Sequence, residues 1–501
     1  MRLMPALLAL SLFLTPSLAR AQNVYPLTAD SERHQDVPQG RVESSKLTSA
    51  KWFPGTVRDM RIYVPAQYDP SKPACVLVMQ DGGGFRAETV MDNLIAKGEI
   101  PVTIGIYLTP GVVPAANEKS LPRYNRSWEY DSPTDTYAKF LIDEVLPAVG
   151  KKYNLSKDPN DHAICGGSSG GIAAFTAAFF RPDAFRRVIS FIGSYTDLRG
   201  ATNYGALVRK FEPKPLRIFQ QDGKNDQDIY SGSWPIGNTD LAAGLKFARY
   251  DALMTWGEGQ HDGVQSTAIF PDALRFIWKG WPAPIVPPTD TPQPITRIVT
   301  ADEGWKPATE TVDFDATKRA VKSLRGVRQA VATGDGTVWA TTESGKIYRI
   351  PAKRKPMVVG NVPDAMGITL TPDQTQLLVS SGTERYVHSF MIQPDGTLAS
   401  QQAYHEVYVA HGETKSRAGG MVTDANGWLY VASPFGIQVL DQAGRVNGII
   451  VNPSLEPTVQ LAWSGSTLYA LTEGGKVYAR KTKAVGVMPF AEPLKPPAPR
   501  L

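Results

Sequence analysis

The chain has 501 residues, of which 42% are hydrophobic and 20% are charged. This composition is typical of folded globular proteins and excludes a largely disordered chain. The length exceeds what one ordinary hydrophobic core supports and indicates two or three domains. A formal net charge of +5 is too small for a chain of this length to indicate nucleic-acid binding.

The first residues have the pattern of a cleavable export signal. Arg2 precedes an apolar run from Leu7 to Leu14, and Ala19-Arg20-Ala21 stands where such signals are cut. The run is too short to span a bilayer, and no later run is longer. We therefore expect residues 1–21 to be a signal peptide cut after Ala21, and a periplasmic or secreted protein without a membrane span. Cys75 and Cys165 lie in apolar runs and are expected to be free, buried thiols.

The segment Ile164–Gly171 is predicted to be a strand that ends in a sharp turn and leads directly into an alanine-rich helix. Within it, Gly166-x-Ser168-x-Gly170 fits the nucleophile-elbow pattern, in which glycines allow a turn that projects a serine above a sheet. The N–H of the next residue, Ser169, would then face an oxygen that develops negative charge. A second frame, Gly167-x-Ser169-x-Gly171, would make Ser169 the nucleophile, and a plain glycine-rich turn is the structural alternative. We favour Ser168, because Gly170 and Gly171 can then start the helix against the sheet.

A second oxyanion donor is expected after the buried run Ala74–Met79, where three consecutive glycines follow. Glycines allow the backbone to approach a ligand closely, and Gly83 is the candidate donor. A flexible strand-to-helix loop is the alternative at this position.

The base and the acid follow from chain order, because a serine enzyme of this architecture carries nucleophile, acid and base in that sequence. Of the six histidines, only His261 lies between the serine and the second domain. The acid should follow the preceding strand, where Asp222, Asp226 and Asp228 are candidates. We favour Asp226, because its turn lies past the strand, and expect Asp222 and Asp228 to cap turns. The choice among the three stays open.

Strands alternate with helices through this half of the chain, which predicts a mainly parallel, doubly wound sheet. The loop from Arg123 to Tyr130 is expected to line a substrate cleft, with Arg126 binding a polar group and Trp128 and Tyr130 stacking on a ring. Trp234 is a further candidate platform. The alternative is an Arg126–Glu129 ion pair with the aromatic rings packed beneath the loop.

Several motifs together resemble the enterochelin-esterase and esterase-D-like branch of the α/β hydrolases, to which bacterial feruloyl and acetyl-xylan esterases are related. The resemblance covers about residues 37–281 and rests on Val64-Pro65-Ala66-Gln67-Tyr68-Asp69, Gln80-Asp81-Gly82, Arg126-x-x-Glu129-Tyr130, Gly166-x-Ser168-Ser169-Gly170-Gly171, Gly223-x-Asn225-Asp226 and Gly257-x-Gly259-x-His261. It implies a triad of Ser168, Asp226 and His261, backbone oxyanion donors near Gly83 and Ser169, and no metal or organic cofactor. It does not identify the ester.

A stretch with six prolines, Trp281–Pro294, predicts a stiff linker rather than part of a core. We expect an esterase domain over 22–281, a linker over 282–296, a second domain over 297–490 and a tail over 491–501. In the second domain similar strand-like segments start at Thr337, Gln376, Trp428 and Thr467, at spacings of 39, 52 and 39 residues. Spacings near the length of one four-stranded blade predict a β-propeller with about four blades.

This half resembles the gluconolactonase or senescence-marker type of propeller in its blade pattern. Where that family carries metal ligands, the sequence has Met366 and Gly419 or Gly420, which cannot bind a hard cation. We therefore expect a non-catalytic binding or assembly module and no metal.

The sequence thus favours an exported serine esterase that acts through an acyl-enzyme on acyl or hydroxycinnamoyl esters of plant-type carbohydrate. A catecholate siderophore esterase is the alternative substrate class. Two hypotheses of another kind are a lactonase in the propeller and a carbohydrate-binding protein without activity.

Overall fold

The computed structural model describes residues 25–300, 303–314, 316–319 and 321–499. The predicted signal peptide, residues 1–21, lies outside the described residues. In the described part of the chain, no helix combines the length and the apolar character that crossing a membrane requires.

The first domain is a ten-stranded mixed sheet with helices on both faces. Its strands, including a small separate hairpin formed by β10 and β11, are β1 (Arg41–Thr48), β2 (Val57–Val64), β3 (Cys75–Met79), β4 (Thr103–Leu108), β5 (Val112–Val113), β6 (Arg123–Tyr124), β7 (His162–Gly167), β8 (Arg187–Phe191), β9 (Arg217–Gly223), β10 (Asp228–Ile229), β11 (Gly232–Ser233) and β12 (Asp251–Gly257). Its helices are α1 (Ala87–Ala96), α2 (Arg126–Tyr130), α3 (Thr136–Phe140), α4 (Leu146–Gly150), α5 (Ser169–Phe180), α6 (Tyr204–Lys210), α7 (Trp234–Phe247) and α8 (Val264–Trp278).

Six central strands, in the order β12-β9-β8-β7-β3-β4, run parallel to one another. Strand β2 continues the sheet antiparallel to β4, and β1 pairs with β2. Because the parallel strands all end at the same edge, the loops after β3, β7, β9 and β12 meet there. The predicted α/β hydrolase architecture is confirmed.

The alternating side chains of β3 explain how the sheet holds two cores. Val76 and Val78 contribute to the core beneath α3 to α6, whereas Cys75 and Leu77 point into the core beneath α1 and α8. Burial on both faces is why the parallel strands read as continuous apolar runs. Both cysteines are buried and free, as predicted.

Helices α3 and α4 are joined by one wider π-helical turn at Leu141–Val145 and form one continuous helical segment. Its apolar side chains recur at helical spacing and are buried against the sheet at Tyr137, Phe140, Leu141, Val145 and Val149.

The second domain contains four four-stranded antiparallel sheets within the described residues. Its elements are β13 (Lys306–Pro307), α9 (Ala316–Arg319), β14 (Val327–Ala332), β15 (Val338–Thr342), β16 (Lys346–Ile350), β17 (Met357–Asn361), β18 (Ala365–Leu370), β19 (Gln376–Ser381), β20 (Tyr386–Ile392), β21 (Leu398–Glu406), β22 (Met421–Thr423), β23 (Leu429–Val431), β24 (Ile437–Leu440), β25 (Val446–Ile450), β26 (Thr458–Ser464), β27 (Thr467–Thr472) and β28 (Val477–Lys481).

The four repeated segments of the sequence become β15, β19, β23 and β27. The first three are each the second strand of their blade in chain order, whereas β27 is the third strand of the fourth blade. The fourth blade is completed by β13, which pairs with β28, so the first strand of the domain joins its last three. The predicted four-bladed, propeller-like arrangement is confirmed.

The two domains share one continuous hydrophobic core. Phe435 of the second domain packs edge-on against Phe211 of the first, with ring centroids 5.4 Å apart. The Glu212 N–H donates to the Ile449 carbonyl at 3.0 Å, and Arg480 forms a bidentate ion pair with the Glu212 carboxylate at 2.5 and 2.9 Å. The second domain is therefore docked on the first through packing, backbone bonds and a charge pair.

The proline-rich segment takes part in this docking. The amide of the buried Gln293 donates to the carbonyls of Val208 and Phe211, both at 2.8 Å. Ile295 is fully buried in the core of the second domain. The end of the proline-rich stretch, at Gln293, and Ile295 directly after it are thus buried between the domains. The sequence could not reveal this, because their partners lie far away along the chain.

Arg480→Met should destabilise the protein, because it leaves the Glu212 carboxylate without its partner at the domain interface. The side chains of Arg480 and Glu212 are only 2% and 17% exposed, so we expect a loss of about 2–4 kcal/mol in the free energy of unfolding. A urea titration measures it. Lys46→Ala is the matched control, because its ion pair with Asp59 is exposed and should contribute little. Equal effects of the two substitutions would contradict this assignment.

Candidate active site

Ser168 lies at a strained turn between β7 and α5. Its backbone has φ 57° and ψ −125°, which a residue with a side chain adopts only when its surroundings enforce it. Two glycines permit the turn. A Cβ on Gly166 would lie 2.3 Å from the Gly170 carbonyl oxygen, and one on Gly171 would lie 2.9 Å from that of Phe191. The serine hydroxyl is thereby held above the edge of the sheet.

The structure brings Ser168, His261 and Asp226 together in one hydrogen-bonded chain. The Ser168 Oγ lies 2.9 Å from His261 Nε2, and His261 Nδ1 lies 2.7 Å from Asp226 Oδ1. In the tautomer that this chain requires, Ser168 donates to Nε2, and Nδ1–H donates to the carboxylate. A hydroxyl, an imidazole and a buried carboxylate in this order can activate the oxygen as a nucleophile.

The loop after β9, which carries Asp226, is hydrogen-bonded to the loop after β12, which carries His261. Gly223 and Gly257 are paired in the parallel register. The Lys224 N–H donates to the Gly257 carbonyl at 2.8 Å, and the Asn225 N–H to the Gly259 carbonyl at 3.2 Å. Because a Cβ on Gly223 would lie 2.3 Å from the Gly259 carbonyl oxygen, only glycine allows this approach.

The three candidate acids occupy different positions. Asp226 Oδ1 accepts from His261 and from the Gln227 N–H, whereas Asp228 is exposed on the β10–β11 hairpin. Asp222 is buried and accepts the Gly223 N–H at 2.9 Å within its own turn. Of the three, Asp226 is the one that contacts the imidazole.

Burial by itself would raise the pKa of Asp226. Hydrogen bonds from His261, Asp222 and the Gln227 N–H outweigh it and hold the pKa of the carboxyl below its usual range. Asp226 is therefore ionised at neutral pH and can stabilise a positive charge on the imidazole.

The hydroxyl of Ser169, the nucleophile of the alternative frame, is hydrogen-bonded to Arg126 and not to the imidazole. Its hydroxyl accepts from Arg126 Nη1 at 2.9 Å, and Arg126 also holds both carboxylate oxygens of Asp81, at 2.8 and 3.0 Å. The ion pair of Arg126 is thus with Asp81, and Glu129 instead forms a buried bidentate pair with Arg58. The Ser169 side chain braces the turn, while its N–H belongs to the first turn of α5, where backbone donors lack helical acceptors.

The glycine loop after β3 has an unusual backbone, with positive φ at six consecutive residues, Asp81 to Arg86. Its amides are partly used within the loop: the Gly83 N–H donates to the Gln80 carbonyl at 3.1 Å, and the Gly82 N–H to the Leu108 carbonyl at 2.8 Å. Gly83 can serve as an oxyanion donor only if its N–H turns from Gln80 toward the substrate, so this role stays a proposal.

Two of the predicted ring platforms are buried, and the expectation for them is corrected. Tyr130 is 1% exposed and packs edge-on against Tyr137. Trp234 is 2% exposed and packs edge-on against the His261 ring, with centroids 5.4 Å apart, so it supports the imidazole instead of a ligand. Trp128 is 53% exposed, and Arg199 lies over its ring at 4.7 Å.

The sequence reading missed Ser194 and Asp81. Ser194 Oγ lies 3.3 Å from Ser168 Oγ, and Asp81 fixes Arg126 beside the turn. Asp81 and Ser194 follow β3 and β8, the two strands that flank β7. Small polar residues at the carboxyl ends of neighbouring strands were therefore a signal for both positions. The pairing of Asp81 with Arg126 was not predictable from the sequence, because the two residues are 45 positions apart.

The positions aligned with a propeller metal site carry no hard ligand. The thioether of Met366 contacts the Arg328 guanidinium. The Gly419 carbonyl accepts from Ser380 Oγ, and a Cβ on Gly367 would lie 2.3 Å from that carbonyl oxygen. The backbones of Gly367 and Gly419 thus approach each other closely at these positions.

A fluorophosphonate probe should label Ser168, because His261 can take the proton of its hydroxyl. Peptide mass spectrometry of the labelled protein should find the adduct on Ser168 in the wild type, and none in Ser168→Ala. Ser169→Ala is the matched control and should still be labelled at Ser168, within about tenfold of the wild-type rate. An adduct on Ser169 would contradict this placement of the nucleophile.

Residues 54–263 match the model of the Esterase family, described as "Putative esterase". The iron(III) enterobactin esterase of Dickeya dadantii is 29% identical over 252 residues, which cover 44% of this chain and 55% of that protein. The MPT51 antigen of Mycobacterium leprae is 28% identical over 147 residues, or 29% of this chain and 44% of that protein. The chain thus spans about half the length of the curated relatives it matches.

Among solved structures, a ferulic acid esterase of Anaeromyces mucronatus aligns with a TM-score of 0.38 and 19% identity, over 50% of this chain and 93% of that one. The stretch that matches the Esterase family model, residues 54–263, includes Ser168, Asp226 and His261, and the resemblance inferred from the motifs is confirmed for this domain.

Proposed function

We propose that the protein is an exported serine hydrolase that cleaves carboxylic esters through an acyl-enzyme. The observation that carries the proposal is the hydrogen-bonded chain from Ser168 Oγ through His261 to Asp226, at 2.9 and 2.7 Å, on a strained turn at the edge of the sheet. The family match of the first domain supports the same activity.

In the proposed reaction, His261 Nε2 takes the proton of Ser168 as Oγ attacks the ester carbonyl. The imidazolium then gives this proton to the departing alcohol, which leaves the acyl group on Ser168. Water attacks the acyl-enzyme with His261 again as base. Asp226 stabilises the imidazolium, and the Ser169 N–H, with Gly83 as second donor, binds the oxyanion.

The surroundings of Ser168 favour a neutral ester. The Arg126 guanidinium is neutralised by its bidentate pair with Asp81, so it offers hydrogen bonding more than net charge. Trp128 on α2, which also carries Arg126, and Ile229 and Tyr230 on the hairpin that follows Asp226 are exposed and offer apolar and aromatic surface on the two segments that supply Arg126 and Asp226. We therefore propose acyl or hydroxycinnamoyl esters of plant-type carbohydrate as substrates, with the second domain as a non-catalytic binding module.

A catecholate siderophore is the second candidate substrate, favoured by the similarity to the iron(III) enterobactin esterase of Dickeya dadantii. Such a ligand carries negative charge when it binds iron. A pocket with an unpaired cation would attract it more strongly than the Arg126–Asp81 pair, which has no net charge.

Turnover of methyl ferulate, acetylated xylan and a catechol-serine trilactone separates these substrates. We expect the highest kcat/KM on one of the first two, and a loss of at least about 10³-fold in Ser168→Ala and in His261→Ala, because the triad acts as a unit. Asp272→Asn, on the exposed surface of α8, is the matched control and should retain wild-type turnover. Hydrolysis that persists in Ser168→Ala would contradict the mechanism, and a preference for the trilactone would overturn the substrate class.

A further inference from the structure

Three buried acceptor oxygens around the triad acid have no hydrogen-bond donor among the described residues. They are Oδ2 of Asp226, Oδ2 of Asp222 and Oδ1 of Asn238. The Asn238 amide is oriented by its own Nδ2, which donates to the Gly193 carbonyl at 2.8 Å and to the Trp234 carbonyl at 3.1 Å. Buried acceptors without a donor are costly, so their presence calls for an explanation.

The carboxyl groups of Asp222 and Asp226 lie close enough for each to shift the pKa of the other. A carboxylate only accepts hydrogen bonds, so a hydrogen bond between the two groups requires a proton on one of them. Oδ1 of Asp226 already accepts from His261 and Gln227, and Oδ1 of Asp222 accepts from Gly223. The two Oδ2 atoms are therefore the oxygens left to share the proton, which gives both of them a partner.

The surroundings place this proton on Asp222. Strand β12 puts Trp256 opposite it in the register, and α7 contributes the neutral amide of Asn238. The charged group that faces Asp222 is thus Asp226, with His261 beyond it. Burial, followed by the neighbouring Asp226, raises the pKa of Asp222 to about 9, whereas the pKa of Asp226 lies below its usual range.

We propose that Asp222 is a positioning residue, protonated at neutral pH, whose O–H donates to Oδ2 of Asp226 and so holds Oδ1 of that carboxylate toward His261. The inference rests on the proposed function of Ser168, His261 and Asp226. Two carboxyl groups that share one proton keep a single negative charge beneath the imidazole and fix the plane of the carboxylate that carries it. Asp222 itself touches neither substrate nor reacting atoms.

The test compares Asp222→Asn, Asp222→Leu and the control Asp228→Asn in the full-length protein. Asparagine keeps a donor at the same place, so Asp222→Asn should retain kcat within about threefold of wild type. Leucine removes the donor, so Asp222→Leu should lower kcat at least about tenfold with little change in KM. Asp228 is exposed and contacts none of the triad, and Asp228→Asn should match wild type.

The second readout does not depend on activity. The unfolded chain releases the Asp222 proton above about pH 4, near the ordinary value of 3.8, while the folded protein holds it up to about pH 9. Wild-type stability should therefore fall, relative to Asp222→Asn, as the pH rises from 5 to 8, with a slope that corresponds to one proton. Urea titrations at several pH values measure this slope, with Asp228→Asn expected to follow wild type.

Equal pH slopes for wild type and Asp222→Asn would show that Asp222 is ionised, and would overturn the inference. A kcat of Asp222→Leu equal to wild type, or a kcat of Asp222→Asn as low as that of Asp222→Leu, would overturn the positioning role. If wild type hydrolysed none of the esters, the proposed function would fail, while the slope would still decide the protonation of Asp222.

Discussion

The left-handed backbone of Ser168 is the constraint on which the site depends. A residue with a side chain held in such a conformation costs on the order of 1–3 kcal/mol and persists only where the surroundings enforce it. Here the neighbouring strand does so. The Ser168 N–H donates to the Phe191 carbonyl at 2.9 Å, and the Ser168 carbonyl accepts from the Ser194 N–H at 3.2 Å. The nucleophile is thus fixed by the backbone of β8 and the segment after it, and its direction does not rely on side-chain packing alone.

The parallel order of the strands converts distant sequence positions into one site. Because β7, β9 and β12 all end at the same edge, Ser168, Asp226 and His261 meet although the first and last are 93 positions apart. The glycines at the ends of β9 and β12 let the two loops bond to each other before either reaches the serine. Burial then gives the acids different roles: one carboxyl, with donors around it, stays ionised, and the other, with a carboxylate as neighbour, holds a proton.

The sequence predicted the parts of the structure that depend on local pattern. The strand-turn-helix at Ser168 and the repeated strands of the second domain follow from apolar periodicity and glycine positions, and the structure contains them. Chain order was enough to select His261 and Asp226 as candidates. The burial of Tyr130 and Trp234 was not predictable, because exposed and buried aromatic residues look alike in a loop sequence. The burial of Gln293 and Ile295 between the domains was not predictable either, because their partners come from other parts of the chain.

The central claim, an ester cleaved through an acyl group on Ser168, is tested most directly by intact-mass spectrometry of the protein quenched during turnover of a slowly deacylated ester. The account predicts a population heavier than the free protein by one acyl group, with that group on the peptide that contains Ser168. Product formation without any acylated protein, or an acyl group carried by another residue, would contradict it.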